Sequence, residues 1–281
     1  MITIIVGVPG AGKTAKLTHF IYDKIINNSF EDYRKCKKEI EQMKLGGFSN
    51  LELPSQRHLC YSDYPVKIGK KYSTYYVDGF SIGMPNPFFK TRVFPPYSII
   101  FLDEAQRYYN SRMSKYLREE VYLWYQFHRH NHYNIFMCCQ RLGNIDINIR
   151  SIAERIIVID ELKVKESQWG YVTEMKWTGR VFNSCDSAET YCMAKESGTN
   201  CNMGQPYEEK IDFSVFDFYD SHGCKPMFYN GVYSQGFDYF TEEGYQFTLD
   251  SFVEYNNAHY YVAPRGFWKN AEYDKKILAC A

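Results

Sequence analysis

Near the amino end, Gly7-Val8-Pro9-Gly10-Ala11-Gly12-Lys13-Thr14 places three glycines, an ammonium group and a hydroxyl in the order GxxxxGK[ST]. Each residue type has work to do on a chain of phosphates. Glycines let successive backbone N–H groups close around phosphate oxygens. The lysine reaches the β- and γ-phosphates, and the hydroxyl after it ligates Mg²⁺. A helix opening at Lys13 adds about half a positive charge at its start. Gly7, Pro9, Gly10, Ala11, Gly12, Lys13 and Thr14 are therefore the expected nucleotide-binding residues, with ATP and Mg²⁺ as the expected ligands.

A second constellation lies at Ser98-Ile99-Ile100-Phe101-Leu102-Asp103-Glu104. Four apolar residues put Asp103 at the carboxyl end of a buried strand, where open α/β sheets bind ligands. Asp103 is expected to hold Mg²⁺ through water, beside Thr14. Glu104, next in line, is placed to orient and deprotonate an attacking water, which fits hydrolysis better than transfer to a small acceptor. Its plainer role would be a solvated capping acid. Gln140 ends the apolar run Asn134–Cys139 and could contact the γ-phosphate or the lytic water; otherwise it is an ordinary strand-end amide. His128, His130 and His132 suggest a metal site at first sight. Residues two apart on a helix do not share a face, however, and no carboxylate or thiol adjoins them, so interactions at a helix end suit them better.

The elements that would position these groups can be read from periodicity. Residues 2–6 are a short β-branched run, hence a buried strand. Helical spacing follows from Lys13 to about Ile26, and residues 31–45 are charged and helix-prone. Residues 51–96 are broken by prolines and glycines, with β-like pieces at His58–Tyr61 and Tyr72–Val77. Residues 116–130 read as a helix with Leu117, Val121, Trp124 and Phe127 on one face. A strand at Asn134–Cys139, a short helix near 145–153 and a strand at Arg155–Ile159 follow. Apolar strands separated by helices imply a mostly parallel sheet covered on both faces. Beyond Glu161, Trp169–Thr178 reads as paired strands and Asp186–Glu196 as a helix.

The 281 residues sum to zero charge, with 33 basic and 33 acidic side chains, but the cancellation is not local. Residues 1–165 carry 24 basic and 16 acidic groups, and residues 166–281 carry 9 and 17. The reading is a P-loop ATPase domain over 1–165 and an acidic, aromatic-rich accessory region with β-strands over 166–281. Lys35, Lys37, Lys38, Lys67, Lys70 and Lys71 are compatible with phosphate contacts to DNA, although a run such as Lys35–Lys38 also suits a solvated helix face. The hydrophobic share of 45% excludes disorder as the overall state. No apolar run approaches the ~20 residues of a membrane span. Nine cysteines without a CxxC pair suggest reduced thiols in a cytosol.

Taken together, Val6–Thr14, Leu102-Asp103-Glu104-Ala105-Gln106, Phe127-His128-Arg129-His130, Cys139-Gln140-Arg141 and Ile145–Arg150 resemble the zonular occludens toxin domain. That family includes filamentous-phage assembly ATPases and belongs to the FtsK–HerA-like branch of P-loop motors. The resemblance covers roughly residues 1–165. It implies a RecA-like core, a homo-oligomeric ring, and ATP-driven export or packaging of phage DNA, in the cytoplasm of a bacterial host. It also implies an arginine finger from a neighbouring subunit, for which Arg129, Arg150 and Arg155 are candidates. Many members carry a transmembrane helix after the ATPase part. Residues 166–281 contain no such span, so any membrane anchor is expected from a partner. Two other readings stay open: a small-molecule kinase sharing the phosphate loop, and an ATP-binding assembly scaffold with little hydrolysis.

Overall fold

The structure, a computed structural model, describes residues 1–27, 29–45, 96–199 and 201–219, shorter pieces between 60 and 94, and strand segments between 228 and 261. The strands are β1 (Ile2–Val6), β2 (Cys60–Ser62), β3 (Lys67–Ile68), β4 (Lys71–Tyr72), β5 (Tyr75–Tyr76), β6 (Ile99–Leu102), β7 (Asn134–Cys139), β8 (Arg155–Glu166), β9 (Val172–Phe182) and β10 (Gln205–Ile211). The helices are α1 (Lys13–Asn27), α2 (Ser29–Leu45), α3 (Glu119–Gln126), α4 (Ile147–Arg150) and α5 (Cys185–Glu196). Packing divides the chain into two units. The first comprises Met1–Phe20, Phe101–Arg118 and Asn134–Ser221; the second comprises Ile21–Ile100, Glu119–Tyr133 and His222–Ala281.

The first unit is built on β1, buried at every position. A strand apolar on both faces must be covered on both, and it pairs in parallel on both edges. Ile4 faces Met137 of β7 on one side and Ile156 of β8 on the other. The strand order through this unit is β10-β9-β8-β1-β7-β6. The glycine-loop strand and the carboxylate strand are therefore separated by β7, whose tip carries Gln140. This is the expected α/β arrangement around a central sheet whose inner strands are parallel.

The sheet continues past the parallel strands. β8 is buried from Ile156 to Ile159 and mostly exposed beyond, yet its backbone stays paired, antiparallel, with β9 as far as Glu166. β10 then adds to β9, also antiparallel. The expected domain limit at residue 165 thus falls inside β8, and residues 172–211 extend the same sheet. Gly179 makes this possible. Opposite the bulge between Ile159 and Glu161, a Cβ at Gly179 would sit 2.0 Å from the Val158 carbonyl oxygen.

In the second unit, Phe94, Trp124 and Tyr133 pack together and the Tyr133 hydroxyl donates to the Phe94 carbonyl at 2.6 Å. β2 and β5 pair in parallel, β3 and β4 antiparallel. Two further antiparallel hairpins join Phe228–Tyr229 to Val232–Tyr233 and Phe252–Tyr255 to Ala258–Tyr261. The helix expected over 116–130 is shorter. Ser111–Tyr116 is a 3₁₀ turn, α3 spans Glu119–Gln126, and Phe127 is exposed while Val121 and Trp124 are buried. Helical winding stops because the His128 ring takes the Tyr125 carbonyl at 2.6 Å, and His132 turns left-handed at φ 56°. His58 and Lys70 lie outside the described residues.

Candidate nucleotide-binding site

β1 delivers the chain to the loop, and α1 takes it away at Lys13. The loop is tied to β7 by a hydrogen bond from the Gly7 N–H to the Cys139 carbonyl, and to itself from the Ala11 N–H to the Val8 carbonyl. Gly12 adopts φ 77°, and a Cβ there would lie 2.5 Å from Leu162 Cδ2. Left-handed backbone and lack of space both demand glycine at this position. The Gly12 carbonyl accepts the first helical bond, from the Lys16 N–H at 2.9 Å. Lys13 is buried and bends back across the loop, its ammonium donating to the Val8 carbonyl at 3.1 Å.

Thr14 and Asp103 meet. The Thr14 hydroxyl donates to Asp103 Oδ2 at 3.0 Å, bringing residues from α1 and the end of β6 together. Asp103 is buried, and its other oxygen accepts the Glu104 N–H. A hydroxyl beside a carboxylate is a hard oxygen donor pair, the chemistry Mg²⁺ prefers, so the two residues fit that ion. Glu104 sits in a left-handed conformation, φ 52° and ψ 50°. That is uncommon for a residue with a Cβ and is found mainly where function holds it. Its Oε2 accepts from the side-chain amides of Gln106 and, at 3.3 Å, Gln140. Lys13, Thr14, Asp103, Glu104 and Gln140 are thus gathered at the carboxyl ends of β1, β6 and β7.

The arginines are dispersed. Arg150, at the end of α4, forms an ion pair with Glu189 of α5. Arg155 pairs with Thr3 at the amino ends of the parallel strands, opposite the loop. Arg129 is exposed in the second unit, in the turn after α3. The histidines splay. His128 is buried on the Tyr125 carbonyl, His132 stacks on Tyr97 at 4.5 Å, and His130 meets the edge of Phe127. Among the described residues no group of three or more His, Cys, Asp or Glu is placed to hold a metal ion, and no helix is long and apolar enough to cross a membrane. Cys138 and Cys139 are buried in β7, and burial pushes the Cys139 thiol well up, so it stays protonated.

A second cluster surrounds the start of α1. Lys16 is fully buried and paired with Glu209 of β10. His19 Nδ1 lies 2.9 Å from the same carboxylate, and the Tyr207 hydroxyl donates to it at 2.6 Å. Burial alone would raise the Glu209 pKa. Hydrogen bonding from His19, the Lys16 charge and the Tyr207 hydroxyl outweigh it and hold the carboxyl well below its ordinary value. The Lys16 ammonium also lies over the rings of Phe20, Trp177 and Tyr207. Trp177 donates its indole N–H to the Gly12 carbonyl at 3.2 Å. None of these partners carries a local sequence signal: a helical lysine reads as solvated, and only the pairing of distant strands brings Trp177 and Glu209 to it.

The family model for zonular occludens toxin (Zot) matches residues 1–167, more than half of the chain. The chain belongs to the Zot family. Among solved structures, the N-terminal domain of zonular occludens toxin from Neisseria meningitidis is similar at 18% identity, covering 78% of this chain and 98% of that one, with a TM-score of 0.43. A genome packaging NTPase from Sulfolobus turreted icosahedral virus 2, in complex with ATP-gammaS, is similar at 12% identity, covering 60% and 78%, with a TM-score of 0.32. The flagellar accessory protein FlaH from Methanocaldococcus jannaschii is similar at 14% identity, covering 65% and 78%, with a TM-score of 0.34. No curated protein matches the chain. The Zot match includes every residue of the gathered site, whereas Trp177, Tyr207 and Glu209 lie beyond it.

Proposed function

We propose that the chain is a Mg²⁺-dependent ATP hydrolase that works in a homo-oligomeric ring and couples hydrolysis to export or packaging of phage DNA, or to virion assembly, in the cytoplasm of a bacterial host. The observation that carries the hydrolase reading is the Thr14–Asp103 hydrogen bond beside Lys13 and Glu104. It brings together two residues 89 apart in sequence, one following the loop lysine and one ending the carboxylate strand, which supports this reading. Zot membership and the basic balance of residues 1–165 support the nucleic-acid and phage part.

The chemistry follows from the groups present. The backbone N–H groups of Gly10, Gly12 and Lys13 bind the β- and γ-phosphate oxygens, Pro9 having none to offer. Lys13 exchanges its Val8 carbonyl for a phosphate oxygen. Thr14 and Asp103 would hold Mg²⁺, which when bound would supply neutralisation of the charge developing on the phosphates. Glu104 takes the proton of the attacking water as the water oxygen bonds to the γ-phosphorus. The bond from that phosphorus to the bridging oxygen breaks, releasing ADP and phosphate. Gln140, already on Glu104, orients the water. An arginine from a neighbouring subunit completes the site, with Arg129, Arg150 and Arg155 as candidates.

Steady-state ATPase assays of wild type, Lys13→Ala and Glu104→Gln, with and without single- and double-stranded DNA at low salt, test this. Lys13→Ala should lose nucleotide binding. Glu104→Gln should bind ATP and hydrolyse it about 10²–10⁴-fold more slowly. Wild-type hydrolysis that no DNA stimulates would sink the translocation part.

A further inference from the structure

We infer that Trp177, outside the residues matched by the Zot model, is a positioning residue for the phosphate loop, acting through the Gly12 carbonyl; this rests on the nucleotide-binding reading above. Leu162 of β8, Trp177 of β9 and Glu209 of β10 stand opposite one another in the sheet register, Leu162 with Trp177 and Trp177 with Glu209. The row they form meets the end of the loop and the first turn of α1 at three points. Leu162 and Trp177 occupy the space where a Gly12 side chain would be. Trp177 donates its indole N–H to the Gly12 carbonyl at 3.2 Å. Glu209 holds the buried Lys16, four residues along.

The Gly12 carbonyl is the lever. A carbonyl oxygen has two lone pairs, and here the Lys16 N–H takes one at 2.9 Å while the Trp177 indole takes the other. The carbonyl of Gly12 and the N–H of Lys13 belong to one planar trans peptide and point in opposite directions. Fixing the carbonyl from the sheet side therefore fixes the N–H on the loop side, where phosphate oxygens are bound. The indole is fully buried and stacked on His19, with centroids 5.8 Å apart, so the donor is itself held in place. Without it, the Gly12–Lys13 peptide is held by the Lys16 N–H alone and has more freedom to lose when a nucleotide orders it, so binding weakens. Once phosphates are bound the peptide is oriented either way, so turnover at saturation is unaffected.

Trp177→Phe in the full chain keeps the ring and removes the donor. One hydrogen bond of this kind corresponds to about a fivefold change in affinity. The expected result is an ATP Kd and KM raised about fivefold, with kcat at saturating ATP within about twofold of wild type. Unchanged Kd and KM, or a fall in kcat with KM unchanged, overturns the inference. As a second measurement, the wild-type chain labelled with ¹⁵N reports the Trp177 indole N–H directly, assigned through single Trp→Phe replacements. Phosphate bound at the Lys13 N–H polarises the same peptide and strengthens the bond to its carbonyl. The indole signal should therefore shift with Mg-ATPγS in step with binding, and a signal that stays put during saturation overturns the inference. A folded wild-type chain that binds no ATP overturns the nucleotide reading itself and the inference with it, whereas wild-type binding with an indifferent Trp177→Phe overturns the inference alone.

Discussion

Replacing Glu209 by Gln should cost the first unit a large part of its stability, and should do so in a pH-dependent way. The Lys16 side chain is 0% exposed and Glu209 29% exposed. Removing the negative charge leaves an ammonium group in a site with no water to solvate it, and breaking such a pair by deleting one partner costs about 3–5 kcal/mol. Gln retains an oxygen that Lys16 can still reach, so the lower end, about 3 kcal/mol, is expected. For a chain of this size that is a fall of about 6–12 °C in the unfolding midpoint. The sign with pH follows from the depressed carboxyl. Glu209 has an ordinary value of 4.5 and a folded value well below it. The unfolded chain therefore takes up the proton first as pH falls. Its stabilisation is complete above pH 4.5 and is lost progressively as pH drops from there toward the folded value. Urea unfolding of wild type and Glu209→Gln should differ by about 3 kcal/mol from pH 5 to 8, and the two should converge below pH 4.5. A double replacement with apolar residues, Lys16→Met with Glu209→Leu, should recover most of the loss, because the pair's desolvation cost disappears with it. Unfolding of Glu209→Gln within about 0.5 kcal/mol of wild type at pH 7, the usual range for surface substitutions, or a gap that is the same at pH 7 and pH 3, would show that the pair does not stabilise the fold.

Three further outcomes follow from close contacts. Gly12→Ala places a methyl group 2.5 Å from Leu162 at φ 77°; the loop must distort, and the thermal shift that ATP gives the wild type should vanish while the protein remains folded. Gly179→Ala drives its Cβ to 2.0 Å from the Val158 carbonyl. This backbone cannot yield as a side-chain tip would, so a loss of at least 3 kcal/mol is expected on the scale of large single-site effects, read by urea unfolding or as insoluble expression. Arg150→Ala and Glu189→Ala each break one ion pair whose side chains are 12% and 23% exposed. Each should destabilise by roughly 2 kcal/mol, and the double variant by clearly less than the sum; strict additivity in that cycle would show the pair to be uncoupled.

The loop, the carboxylate strand and the Gln140 strand were legible because each is a local pattern. A β-branched run ends in glycines, four apolar residues end in Asp103, and five end in Gln140. The sheet order then brings the three ends together, as parallel strands require. Other features were not local. α3 stops at Gln126 because the His128 ring captures a backbone carbonyl, which apolar spacing does not register. Arg150 meets Glu189 of α5, a partner that no local pattern announces. The charge split near residue 165 is real as arithmetic, yet β8 passes through that point on backbone hydrogen bonds that do not depend on side-chain charge. Lys16 lies three residues after Lys13 in the helix, and its burial depends on Tyr207 and Glu209, nearly two hundred residues away in sequence.

The unbroken run of β8 bears on how the chain reaches its fold. A fragment ending at residue 167, where the family match stops, would retain β1, β6, β7 and β8 but leave one side of β8 with no neighbour. Ile157 and Ile159, buried in the full chain, would flank a row of open N–H and C=O groups, the kind of edge that recruits other chains into aggregates. The same exposure arises during synthesis. At roughly 5–20 residues per second, several seconds pass between the emergence of β8 and that of β10. For that interval the growing chain carries a half-built sheet, and a temporary cover such as a chaperone would serve it until the last strands arrive.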